Sequence, residues 1–185
     1  GRSDRTLTFA TTSARSAAQL PLPALRSLRM SAQPVAVEDA AFYVDLLTRP
    51  ELNKHRPDAR MRDAAACAAA LQADMAHWSS FGFGRYRLTH AAQSVGLGGL
   101  TQKEGFSGLN LSYHLLPDWW GIGLASEFVR TALDFASDRL GAASVYGLVR
   151  PSNTASIRVL EKAGFARAGD HIVGGAPMRE LRREL

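Results

Sequence analysis

At 185 residues, with 46% hydrophobic and 21% charged residues, the chain has the size and composition of one globular domain with a full core. No apolar run is long enough to span a bilayer, and the single cysteine, Cys67, rules out an internal disulfide and has no ligand-spaced neighbours for a metal. Residues 1–31 carry five arginines against Asp4, so most of the net charge of +5 sits in an amino-terminal arm and not on a nucleic-acid-binding face. Residues 1–24 are rich in Ser, Thr, Ala and Arg and read as a basic, partly disordered arm; residues 25–185 read as one domain. The cysteine usage points to the cytoplasm.

Taken in order, residues 25–30 suit a first strand. Glu38 and Asp39 open a helix with Phe42, Leu46 and Leu47 on its buried face, and Arg49-Pro50 stops it. His55 lies in the loop that follows. Residues 63–78 are alanine-rich and helical, with Cys67 a small packed residue. Arg85 to His90 and residues 95–101 read as adjacent strands, and Leu109 to Leu115 as a third. After a glycine-bearing turn, Leu124, Phe128, Val129, Ala132, Leu133, Phe135 and Ala136 recur on one helical face. Ser144 to Val149 is a strand, Ser152 or Asn153 opens the next helix, Gly164 ends it, and short strands close the chain. Three antiparallel strands followed by strand–helix–strand–helix make an α+β fold.

The turn Trp119-Trp120-Gly121-Ile122-Gly123-Leu124-Ala125 sits where a strand gives way to a helix. Free N–H groups and the helix dipole at such a start favour an anion, and glycine lets a phosphate approach the backbone. No Lys-Ser/Thr follows and position 126 is Ser, so neither the P-loop nor the Rossmann pattern fits.

Two stretches taken together, Tyr113-x-Leu115-x-Pro117-x-Trp119-Trp120-Gly121-x-Gly123-x-Ala125-x-Glu127 and Pro151-x-Asn153-x-x-Ser156-x-x-x-Leu160-Glu161-Lys162-x-Gly164-Phe165, resemble the GNAT N-acetyltransferases. The RimJ/RimL-like branch is the one they most resemble. The resemblance implies a GNAT fold: a mixed, mostly antiparallel sheet with one splayed parallel pair, flanked by helices. It implies acetyl-CoA as cosubstrate and direct attack by a primary amine, either a peptide N-terminal α-amine or an amino-acid-like one. The cofactor contacts it implies are main-chain groups of Leu115 and Leu116, the amides from Trp119 through Trp120, Gly121, Ile122 and Gly123 to Leu124 and Ala125, and the Asn153 amide. Asp118 stands where many relatives carry Gln or Arg, and is read as a turn residue. Leu160 replaces a tyrosine that many relatives use to protonate the leaving thiolate, so Ser156 takes that role. Asn110 replaces a common glutamate base; His114 and Glu104 are the candidates for it, beside a water chain. Neutralising a lysine amine of pKa near 10.4 at pH 7 costs about 4.6 kcal/mol, an α-amine near 7.8 about 1.1 kcal/mol. A site with no obvious carboxylate base thus favours an α-amine. A catalytically silent acyl-CoA sensor is the alternative, a ribosome-associated role rests on the arm alone, and exposed sheet edges suit a homodimer.

Overall fold

A computed structural model of the chain describes residues 25–57 and 61–185; the arm, residues 1–24, lies outside them. Eight strands form one sheet: β1 (Leu25–Arg26), β2 (Ser31–Pro34), β3 (Arg85–His90), β4 (Gln93–Thr101), β5 (Leu109–Leu115), β6 (Ser144–Val149), β7 (Ala166–Val173) and β8 (Ala176–Glu184), in spatial order β1-β2-β3-β4-β5-β6-β8-β7. Every neighbouring pair is antiparallel except β5 and β6. The helices are α1 (Ala40–Leu47), α2 (Pro50–Asn53), α3 (Ala64–Phe81), α4 (Leu124–Asp138) and α5 (Thr154–Lys162). This is the mixed, mostly antiparallel sheet flanked by helices that the sequence predicts.

The helices divide between the two faces of the sheet. A Cβ on Gly98 in β4 would meet the Phe128 ring of α4 at 2.6 Å, so α4 packs directly on that backbone. Tyr113 is paired with Gly98 and shares its face; Gly147 in β6 faces Leu160 of α5 on the same side. Side chains alternate along a strand, which turns Asn110, Ser112 and His114 to the opposite face. There Arg85 of β3 meets Asp74 of α3, and Asp74 accepts from Tyr43 of α1 at 2.6 Å. The seven residues that mark the apolar stripe of α4 are all buried, and so is Cys67. Burial pushes the Cys67 thiol up, which suits a packing role.

Two local expectations are corrected. The strand predicted over residues 25–30 is divided by a turn in which the Ser27 N–H donates to the Met30 carbonyl, leaving Leu28 in solvent. An apolar residue in a short run need not mark the core. Pro50 does more than stop α1: with its φ preset and no N–H to lose, it opens α2.

Because the Phe128 ring leaves no room for a methyl group, Gly98→Ala is expected to destabilise the fold by about 1–3 kcal/mol. Urea denaturation followed by tryptophan fluorescence reads this as a lower midpoint at unchanged slope.

Candidate functional site

The site is built from main-chain groups that the fold leaves unpaired. After β5, residues 117–119 make one 3-10 turn, in which the Trp119 N–H bonds the Leu116 carbonyl and the Trp120 N–H bonds the Pro117 carbonyl. These two amides, assigned to the anion from sequence, are therefore already used. The vacant ones begin later. Gly121 and Gly123 adopt φ of 79° and 84°, the left-handed region open to glycine, and Gly123 is the N-cap of α4. The first helical bond is from Glu127 N–H to the Gly123 carbonyl, and no side chain caps the helix. The N–H groups of residues 121–126 thus have no partner among the described residues. Six consecutive amides at the positive end of a 15-residue helix are a donor set suited to a diphosphate.

The second component is a gap between β5 and β6. Their parallel register covers only Leu109 with Val145 and Asn110 with Tyr146. Beyond that the strands part. The Leu116 N–H bonds the Val95 carbonyl on β4, and alternation then turns the main-chain groups of Leu111, Tyr113 and Leu115 towards β6. The Leu115 carbonyl is taken by the Trp120 indole N–H at 2.8 Å. Of the two residues expected to serve the cofactor from this edge, Leu116 is turned away, and Leu115 retains its N–H. The Leu111 carbonyl and the main-chain groups of Tyr113 join the open edge.

Asn153 caps α5, its Oδ1 accepting from the Ser156 N–H at 3.2 Å. Ser156 sits one turn into α5, on the face of the sheet that carries Tyr113. The Tyr113 hydroxyl is buried and has no well-aligned partner. Burial raises its pKa, and the nearby Ser156 hydroxyl opposes this in part. Two hydroxyls on separate elements thus flank the gap, and sequence spacing exposes only one of them. Leu160 is part of the core.

The opposite face carries His114, whose Nδ1 lies 3.0 Å from Arg85 Nη2. Burial, then the charges of Arg85 and Arg62, hold its pKa well below the ordinary histidine value. His114 is neutral with its Nδ1 lone pair directed at a cation, a poor position from which to take a proton. Glu104 is exposed in the turn that precedes β5, at the far end of that strand from the glycine loop, and the fold does not bring it to the gap. Glu180 of β8 is buried on the same face as His114, bonded to His171 Nε2 at 3.1 Å and Arg182 Nε at 3.2 Å. His55 Nδ1 is 2.8 Å from Ser152 Oγ, which carries the 50–57 segment to the end of β6. A concavity of about 710 Å³ lined by Phe81, Phe83, Arg139 and Ser144 lies at the other end of the parallel pair and includes no residue of the glycine loop.

Sequence reading missed the group that holds the loop. Glu127 of α4 is buried and accepts from the Ser27 hydroxyl, from Arg29 N–H at 2.8 Å and from Arg29 Nε at 2.8 Å. Arg29 Nη1 also donates to the Ile122 carbonyl at 2.9 Å. Burial opposes ionisation of Glu127, but these bonds outweigh it and hold its pKa below the ordinary glutamate value. The contact spans about a hundred positions, and only the Glu of the motif hinted at it.

Residues 29–166 match the family model described as "Acetyltransferase (GNAT) domain". Over 152 residues the chain is 22% identical to the uncharacterized N-acetyltransferase YoaA of Bacillus subtilis (strain 168), covering 80% of this chain and 85% of that one. Its fold is similar to that of an acetyltransferase from Agrobacterium tumefaciens str. C58, with a TM-score of 0.76 at 21% identity over all of both chains. It is also similar to Mycobacterium smegmatis RimJ in complex with CoA-disulfide, with a TM-score of 0.69 at 18% identity over 88% of each chain.

Gly123→Glu would force a side chain into a left-handed conformation and bring negative charge to the donor set. It is expected to abolish coenzyme A binding by calorimetry while the circular dichroism spectrum is retained. A carboxylate with a depressed folded pKa contributes stability above its unfolded value of about 4.3 and loses it as pH falls through the folded value. Glu127→Gln is therefore expected to lower the urea midpoint at neutral pH, with the difference from wild type shrinking in acid.

Proposed function

The chain belongs to the GNAT acetyltransferase family, and on that premise we propose that it acetylates the α-amine of a peptide N-terminus or an amino-acid-like amine, in the manner of the RimJ/RimL-like branch. The cosubstrate of the family is acetyl-CoA, which supplies an acetyl group activated as a thioester. The observation that carries the reading is the coincidence of six vacant loop amides with a parallel pair that parts after Asn110.

In this reading the amides of residues 121–126 hold the diphosphate, each such bond to a charged acceptor contributing roughly 1.5–3 kcal/mol. The open edge of β5, at Leu111, Tyr113 and the Leu115 N–H, holds the amide-bearing arm alongside the strand. Asn153 keeps the start of α5 in place so that Ser156 faces the sulfur. The substrate amine enters from the face that carries His114 and forms the N–C bond as the C–S bond breaks. The leaving sulfur takes its proton from the Ser156 hydroxyl, and the proton shed by the attacking nitrogen returns to the serine through a water chain. Tyr113, kept protonated by burial, stands behind Ser156 as a second donor.

The α-amine reading is supported by what β5 offers the amine. Its residues on that face are Asn110, Ser112 and His114: an amide, a hydroxyl and an imidazole held neutral by burial and, after that, by two arginines. None is a strong base. A substrate amine with a pKa near 7.8 is deprotonated often enough at neutral pH to need little help, whereas one near 10.4 is not.

Thiol release measured against N-terminal peptides, free amino acids and polyamines tests this. Peptide or amino-acid α-amines are expected to turn over, and equal or better turnover of a lysine ε-amine at pH 7 would overturn the α-amine assignment. Coenzyme A binding without release from any amine would favour the sensor. Ser156→Ala is expected to lower kcat about 10²-fold with little change in KM for acetyl-CoA, and Tyr113→Phe to lower it less. Unchanged kcat in Ser156→Ala would remove the serine from its role.

A further inference from the structure

The face from which the amine enters carries more positive than negative charge. Arg85 reaches it from β3 with Nη2 on His114 and Nη1 3.7 Å from Asp74 Oδ2, while its Nε is buried and without a partner. Asp74 is shared, since the Tyr43 hydroxyl donates to the same oxygen at 2.6 Å. Arg62, just before α3, meets no carboxylate among the described residues. Its main-chain N–H and its Nη1 both approach Asn53 Oδ1, at 3.3 and 3.4 Å. Asn53 is itself fixed: it is buried, and its Nδ2 donates to the Leu47 and Arg49 carbonyls. The Arg62 guanidinium is thus held by a neutral amide at the long end of hydrogen-bonding range.

Among the described residues no carboxylate reaches the Arg62 guanidinium to neutralise it. Burial, then the charges of Arg56 and Arg85, lower the Arg62 pKa, so the guanidinium groups stand within repulsive reach of one another. His114 contributes no charge. On the same face the Arg182–Glu180 pair is matched, one cation to one carboxylate. Among the described residues a single carboxylate, Asp74, faces the two guanidiniums of Arg62 and Arg85. Partly buried cations short of a counter-charge are costly unless a ligand supplies one, and the fork of a planar guanidinium matches the geometry of a carboxylate.

The location determines whose carboxylate it is. His114, which touches Arg85, follows Tyr113 directly on β5, so the cationic cluster borders the gap on the side opposite the hydroxyls. From these observations we infer that Arg62 and Arg85 form a carboxylate subsite for the acceptor, and that the substrate is an amine bearing a carboxylate a few bonds from its nitrogen. This rests on the acetyltransferase reading and narrows it to acidic amines. Two sources share the chemistry: the side chain of an N-terminal Asp or Glu, and the main-chain carboxylate of a free amino acid.

Binding tests the subsite without requiring turnover. The intact chain, loaded with coenzyme A, is titrated by calorimetry with peptide amides beginning N-acetyl-Asp and N-acetyl-Asn, and with an N-acetyl amino acid and its carboxamide. The carboxylate member of at least one pair is expected to bind about tenfold tighter, and which pair shows the difference identifies the source. Arg62→Gln should erase the difference, Arg62→Lys should restore part of it, and both should bind coenzyme A as wild type does. Equal affinity within both pairs, no binding of any of the four, or a preference that survives Arg62→Gln would overturn the inference. In parallel, thiol release is measured with the unacetylated acidic peptide, its neutral counterpart and a polyamine. Turnover of all three alike sinks the subsite and leaves the enzyme reading intact; a carboxylate preference in binding with no release from any amine does the reverse.

Discussion

Backbone polar groups inside a protein must be paired, and the central constraint here is that β5 and β6 stop pairing after Asn110. On its other side β5 remains bound to β4 along its whole length, so the unpaired groups belong to one edge only. The chain itself satisfies one of them, when the Trp120 indole folds back to the Leu115 carbonyl. That contact also anchors the loop whose next six amides are vacant. One tryptophan thus closes the end of the gap and fixes the start of the donor set, which explains why the aromatic pair and the glycines occur together.

A row of vacant amides is useful only if it keeps its shape. Glycines at positive φ make the turn possible, but their freedom also makes the loop costly to order. Arg29 and Glu127 offset that cost from outside. The carboxylate ties the turn before β2 to the first helical turn of α4, and the same guanidinium holds the Ile122 carbonyl. With the Ile122 carbonyl drawn towards Arg29, the N–H of the same peptide unit, that of Gly123, is turned the other way. The glutamate of the motif therefore shapes the candidate anion site without lying among its donors, and its negative charge is paired locally with Arg29 and hydrogen-bonded by Ser27.

Much of this was legible in the sequence, for identifiable reasons. The bounds of β3, β5 and β6 and the buried stripe of α4 follow from periods of two and 3.6 residues, which packing against one neighbour enforces. The glycine turn was readable because few residues tolerate its backbone. Less legible was which amides it frees, because the 3-10 turn that consumes those of Trp119 and Trp120 depends on Pro117 and on local bonding that no periodicity reports. Leu116 was misjudged because the direction of a strand's N–H groups depends on register with β4. Glu104 appeared close to the chemistry because it is close in sequence to β5, yet it sits at the wrong end. The roles of Arg29, Arg62 and Tyr113 escaped notice because they depend on contacts that only the fold brings together, as with Arg29 and Glu127 98 positions apart, or on the face to which a strand turns a side chain.

The division of the sheet into two faces bears on how such a site works with no strong base. One face offers hydroxyls, fit to donate to a leaving sulfur; the other offers arginines, a neutral imidazole and two carboxylates, Asp74 and Glu180, that are already engaged by Arg85 and Tyr43 and by Arg182 and His171. A cationic wall has a different effect on an amine, because it disfavours the ammonium form and so lowers the amine pKa. An ordinary amine would then be repelled as it approached. An amine that carries its own carboxylate escapes that difficulty: the carboxylate gains the arginines while the nitrogen, held nearby, is still biased towards its neutral, nucleophilic form. On this account the charge imbalance around Arg62 and Arg85 selects the substrate and also does part of the work that a glutamate at the position of Asn110 would otherwise perform.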